Sequence, residues 1–142
     1  MSVDVFDKKS LTRETAEALV AAAAAKAEEL GLRITVAVVD DAGAPKALSR
    51  MDGAPAPTVE MAFAKARTAA HWGAPTDVWR SLGRDDVGLL VGFVGALGEV
   101  GIFGGAVPVS VDGAVVGAIA SSGGSEEQDV EIAQAALAAV GG

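Results

Sequence analysis

Apolar residues first recur at helical spacing between Leu11 and Leu30, where Ala16, Leu19, Ala23, Ala27 and Leu30 form one stripe. Ser10 or Thr12 supplies the N-cap, and Gly31 stands where such a helix stops. The period then changes to two. Arg33 to Asp40 alternates and is rich in β-branched residues, which predicts a strand. Asp41-Ala42-Gly43 predicts a turn, and Lys46 to Met51 the returning strand. A loop holding Gly53, Pro55 and Pro57 leads to a helix predicted over 58–72. Gly73 and Pro75 end it, and Thr76 caps a shorter helix through Trp79 to Leu82.

Residues 83–106 break this clarity. Seven glycines between Gly88 and Gly105 interleave with Leu89, Leu90, Val91, Phe93, Val94, Leu97, Ile102 and Phe103. The segment reads as a mobile apolar loop with at most a short strand. Beyond it, Val107, Val109 and Val111 alternate, Asp112-Gly113 is a strong hairpin signal, and Ala114 to Ser121 returns. Ser125-Glu126-Glu127-Gln128 fits a capping box, opening a helix whose face holds Val130, Ala133, Leu137 and Val140. Two hairpins with helices between them favour an antiparallel sheet over a parallel one, so the fold class is α+β. The 142 residues suit one domain, 1–142, with a core over about 8–140 and no linker.

Composition sharpens the picture mainly by exclusion. With no Cys, a disulfide scaffold, a thiolate metal site and a cysteine nucleophile all drop out. A net charge of −8 with scattered cations argues against a nucleic-acid surface. The N-terminus has no apolar leader, and Glu99 interrupts the most apolar stretch, Val87 to Val111, so no membrane segment is expected and a cytoplasmic location is. The 30 Ala and 18 Gly are unusual. Alanines lie in the helices, where flat faces pack closely on a sheet. The glycines concentrate between Gly83 and Gly124, beside the few large apolar residues, and mark the region where a ligand is expected.

A few residues stand out as candidates for chemistry. Lys65 lies among alanines on a helix facing the sheet, so it either snorkels to solvent or needs a buried acid or a ligand anion. His71, near that helix's C-terminus, is either a cap or a ligand and proton carrier. Arg50 and Asp40 are expected near each other at the ends of paired strands, as an ion pair or as a carboxylate-binding arginine at a pocket mouth. Glu99, the one charge between Val87 and Val111, is either a solubilising loop residue or an acid with a raised pKa. Gly104-Gly105 precedes a strand, and Ser122-Gly123-Gly124-Ser125 opens a helix as a capping turn or an anion cradle. No metal-ligand spacing and no nucleophile elbow occur.

Several blocks carry a family resemblance. They are Val36 to Gly43, Arg50 to Ala54, Ala64 to Ala69 with Pro75-Thr76, Gly104 to Val109, and Asp112-Gly113 through Ser122-Gly123-Gly124 to Gln128-Asp129. In this order, over roughly residues 8–140, they resemble the GlcG/HbpS family. The resemblance implies a profilin-like antiparallel sheet flanked by helices, assembled as a dimer or higher homo-oligomer. It also implies likeness to haem-binding and haem-sensing proteins and to the C-terminal domain of some corrinoid adenosyltransferases. Haem-binding members use an axial His, and here His71 is the only histidine.

Three functions follow as expectations. In the first, the protein binds haem or another tetrapyrrole through His71, with Arg50, Gly104 and Gly105 lining the site and Met61, Leu89, Phe93 and Phe103 forming an apolar wall. The second is a cofactor-independent lyase, isomerase or cyclase acting on a small apolar substrate, with Glu99, Asp40, Lys65 or His71 moving protons. A non-catalytic oligomeric accessory domain is the third.

Overall fold

A computed structural model describes residues 1–141. Helix α1 (Arg13–Glu29) leads into strands β1 (Thr35–Asp40) and β2 (Pro45–Arg50), then helix α2 (Thr58–Trp72). Helices α3 (Val78–Asp85) and α4 (Val87–Leu97) precede strands β3 (Ala106–Val111) and β4 (Ala114–Ser122), and α5 (Glu126–Gly141) is the last element of the described residues. The four strands form one antiparallel sheet in the order β2-β1-β4-β3. The expected α+β class is the observed one.

Side-chain alternation on the two central strands divides the core by size. Val36 and Val38 of β1 and Ile119 of β4 point to one face, where Leu19, Ala23, Ile132 and Ala136 of α1 and α5 cover them. Ala37, Ala118 and Ala120 point to the other, against Ala62, Ala66 and Ala69 of α2. Small residues on both sides bring the α2 backbone close to the sheet. This closeness draws the end of β4 under Lys65.

Local signals explain most boundaries. Thr12 caps α1, its side chain accepting from the Thr15 amide. Gly73 ends α2 in the left-handed conformation at φ 63°. Asp112 and Gly113, at φ 51° and 80°, form the β3–β4 turn. Ser125 and Gln128 make the reciprocal capping box at 2.9 and 3.2 Å.

Two expectations are corrected. Thr76 does not cap α3: it is fully buried, and its hydroxyl accepts from the Ala106 amide at 3.2 Å. Residues 83–106 are largely helical rather than a loop, with the Asp86 carboxylate accepting from the Leu89 amide to start α4. Apolar residues on every side of α4 hide its 3.6-residue period, and its glycines imitate loop composition.

Candidate functional site

Lys65 is 2% exposed, and Ala62, Ala66 and Ala69 beside it turn the same helix face to the sheet. Its ammonium donates to the Ser121 carbonyl at 2.5 Å and the Gly104 carbonyl at 3.2 Å, and meets the Asp129 carboxylate at 3.5 Å. Asp129, in the first turn of α5, also accepts from the Ser121 hydroxyl and the Gly124 amide, each at 3.1 Å. The pair ties α2, the start of β3, the end of β4 and α5 to one point. Burial pushes the Lys65 amine below its ordinary 10.5 despite Asp129, and pushes the Asp129 carboxyl above 3.8 despite Lys65.

Glycine is required around this pair. A Cβ on Gly105, at φ 131°, would lie 2.5 Å from the Lys65 nitrogen and 2.7 Å from the Ser121 carbonyl oxygen. One on Gly101 would lie 2.4 Å from the Lys65 backbone. The Gly101 amide instead donates to the Thr68 hydroxyl at 2.9 Å, one turn along α2. The Gly104 amide donates to Glu126 at 2.8 Å, and Glu126 also pairs with Arg80 at 2.6 Å.

Over the pair opens a cavity of about 260 Å³, with Met61 and Phe103 as its apolar side and Thr58, Gly123 and Glu126 as its polar side. Larger hollows lie elsewhere: an apolar one of about 490 Å³ between α1 and the C-terminal part of α5, an open polar one of about 740 Å³ around Arg33 and Arg50, one of about 640 Å³ beside Pro108 and Leu137, and one of about 340 Å³ around Arg80 and Glu126. None of these four is lined by a buried ionisable pair, which makes the smaller cavity the candidate site.

Lys65, Phe103 and Gly104 therefore line one cavity, and Gly105 packs against the Lys65 nitrogen at its floor. The other candidates lie outside it. Asp40 accepts from the Ala42 and Ala44 amides at 3.0 and 2.9 Å and shapes the β1–β2 turn. Arg50 pairs across the sheet with Thr35, at the far end of β1 from Asp40, so the expected Asp40–Arg50 proximity is absent. Its guanidinium donates to the Ala54 carbonyl at 3.3 Å. Glu99 is exposed and pairs with Arg67 at 3.5 Å. Phe93 sits with Trp72 and Trp79 at ring separations of 5.4 and 5.5 Å, away from Lys65, and Leu89 is on the same helix.

His71 fits poorly as an iron ligand. Its Nε2 is 3.0 Å from the Ala42 carbonyl oxygen, which it meets as a donor, and its ring lies over Gly43. It lines neither the Lys65 cavity nor any of the four larger hollows. Among the described residues, no three His, Cys, Asp or Glu side chains group to hold a metal ion. Asp129 is the candidate site residue that sequence reasoning left unassigned. Its signal was the buried acid that Lys65 demands, masked because Asp129 follows a capping box and reads as an ordinary first-turn acid.

Fold and site together define an antiparallel α+β domain with a small cavity over a buried ion pair. The family described as haem degrading protein HbpS-like matches residues 11–138, and the chain belongs to it. Over 131 residues the chain is 33% identical to the corrinoid adenosyltransferase PduO of Citrobacter freundii. That match covers 92% of this chain but 39% of PduO, so the chain spans well under half of that enzyme. The fold is similar to protein ORFY of Klebsiella pneumoniae, with a TM-score of 0.92, 28% identity and coverage of 99% and 97% of the two chains. It is also similar to PduOC, solved in complex with haem, with a TM-score of 0.86, 32% identity and coverage of 92% and 95%. No helix among the described residues is long and apolar enough to cross a membrane.

Proposed function

We propose that the protein is a small-molecule-binding domain whose ligand engages the cavity over Lys65 and Asp129, with haem or a related tetrapyrrole as the ligand class. The observation that carries the ligand class is the likeness to PduOC, a haem complex, across nearly the whole chain. In favour of the cavity is its rim: Phe103 and Met61 are 46% and 43% exposed above a floor of buried polar groups. A volume of about 260 Å³ falls short of the ~300–1,000 Å³ that encloses a drug-sized ligand. The cavity therefore takes an edge or substituent of a macrocycle, with the rest lying against the apolar rim. Because His71 is held by the Ala42 carbonyl, this reading gives the histidine no part in binding.

Titration of the purified protein with hemin, followed in the Soret region, tests this. Saturable binding is expected, unchanged within about twofold in His71→Ala and weakened at least about tenfold in Phe103→Ala, a loss near 1.4 kcal/mol. Binding lost in His71→Ala but kept in Phe103→Ala would place the ligand elsewhere, and absence of saturable binding would remove the ligand class.

One observation favours a second reading, an acid–base enzyme without a cofactor. Lys65 and Asp129 set an amine and a carboxyl 3.5 Å apart at one cavity floor, a pair able to give and take a proton. Deuterium exchange from solvent into small carbonyl compounds, read by NMR, is then expected and is lost in Asp129→Asn. Exchange that persists in a folded Asp129→Asn variant would exclude it.

A further inference from the structure

The buried pair at the cavity floor is built unlike a clasp. An ion pair that only holds elements together needs a short, fully matched contact, because both charges have left water. Here the Lys65 ammonium stands 3.5 Å from the Asp129 carboxylate, at the loose end of hydrogen-bond range. Its closer contacts are the Ser121 carbonyl at 2.5 Å and the Gly104 carbonyl at 3.2 Å. Asp129 does not depend on Lys65 for its position. Its Oδ1 accepts from the Ser121 hydroxyl and the Gly124 amide, and its Oδ2 meets the amine. Nor is the pair sealed, since Lys65 and Asp129 both line the cavity beside Met61 and Phe103.

This arrangement decides which hydrogen can leave. An ammonium has three donors, and here two serve backbone carbonyls that an uncharged amine can serve as well. The third faces the Asp129 carboxylate. Its transfer to Oδ2 removes two charges from the interior and breaks neither carbonyl bond. A nitrogen lone pair then stands at the cavity floor. Gly105 keeps that nitrogen clear, since a Cβ there would lie 2.5 Å from it. A desolvated lysine amine is the group that condenses with carbonyl compounds.

We infer that Lys65 is a nucleophile that forms an imine with a small, neutral aldehyde or ketone, with Asp129 carrying the protons. Such an imine deepens the acid–base reading of this cavity, on which it rests. The nitrogen adds to the carbonyl carbon as Asp129 protonates the carbonyl oxygen. Asp129 then takes a proton from the nitrogen and passes it to the new hydroxyl, which leaves as water. One ammonium and one carbonyl thus give one protonated imine and one water, with Asp129 again a carboxylate. The positive imine nitrogen acidifies the neighbouring C–H, which gives solvent exchange its route. The lining selects the substrate. A volume of about 260 Å³ lies below the ~300–1,000 Å³ of drug-sized ligands, and Met61 and Phe103 suit a short apolar tail. Lys65 is the one cation among the lining residues, and Glu126 beside it repels a carboxylate, so a neutral carbonyl compound is preferred to a keto acid.

Reductive trapping tests this, with the lysines as one another's controls. Wild-type protein is treated with propanal and cyanoborohydride at neutral pH, stopped at low conversion, and mapped by mass spectrometry. The Lys8 and Lys9 side chains are 62% and 60% exposed, against 3% for Lys65. Accessibility alone therefore labels Lys65 last, whereas a nucleophilic Lys65 is labelled at least about tenfold faster than either. Acetone should trap it in preference to pyruvate. Asp129→Asn, with unchanged far-UV circular dichroism, should remove the preference for Lys65, and Lys65→Arg should lose the deuterium exchange. Lys65 labelled no faster than Lys8 and Lys9, or exchange persisting in a folded Lys65→Arg variant, would overturn the inference while leaving Asp129 as an acid–base group. Absence of exchange in wild type would instead remove the acid–base reading itself.

Discussion

Residues 88–95 and 101–105 are both rich in glycine and free of charged side chains except at their margins, yet the fold treats them in different ways. In the second segment each tight glycine has a neighbour in its own chain. Gly101 lies against the Lys65 backbone, and Gly105 against the Lys65 nitrogen and the Ser121 carbonyl. In the first, Gly92 and Gly95 face open space from a helix that buries none of its residues. Glycine thus records a close approach in the second segment, where the approaching group is the buried lysine of the candidate site, and nothing in the chain approaches Gly92 or Gly95 in the first.

The comparison can be broken most forcefully at Lys65. Lys65→Met strands Asp129 in the interior and should destabilise the fold by about 3–5 kcal/mol in urea denaturation. Lys65→Met with Asp129→Leu removes both charges and should recover most of that loss. If the double variant is as unstable as the single one, the pair is not the organising contact of the inner glycines.

Next come the glycines themselves. Gly105→Ala forces a Cβ to within 2.5 Å of the Lys65 nitrogen and should cost about 1–3 kcal/mol or more. Gly95→Ala, where a Cβ meets nothing within 4 Å, should instead stabilise the chain by about 1 kcal/mol. Equal effects at the two positions would erase the distinction between the segments.

The smallest effect is in the pH dependence. Between the lowered pKa of Lys65 and 10.5, the unfolded chain binds the proton that the folded chain has released, so stability rises with pH. Between 3.8 and the raised pKa of Asp129, the folded chain keeps a proton that the unfolded chain has lost, so stability falls as pH rises. Melting temperatures of wild type and the Lys65→Met, Asp129→Leu double variant, compared across pH, should differ by these two steps. Parallel curves would mean that neither group is perturbed.

Much of the fold was legible because its signals are local. The Asp112-Gly113 turn, the Ser125–Gln128 box and the period change at Arg33 each specify structure within a few residues. Helix α4 was not legible, since periodicity needs contrast and its residues between Val87 and Leu97 are apolar or glycine on every side. The site was legible by half. Lys65 stood out as a charge among alanines, but its partner Asp129 lies 64 positions away, and only the sheet order brings the two together. Asp40 and Arg50 misled because a hairpin places its strand ends correctly only when the register is known. For His71, being the chain's single histidine says nothing of what its ring nitrogen meets, which here is the Ala42 carbonyl.

On the proposed function, the cavity over Lys65 and Asp129, rather than the single histidine, receives the ligand. A crystal structure of the protein soaked with hemin tests it most directly. Ordered density is expected against Phe103 and Met61, entering over Lys65, with the His71 ring still bonded to the Ala42 carbonyl. Density centred on the His71 imidazole, with that bond broken and the Lys65 cavity empty, would contradict it.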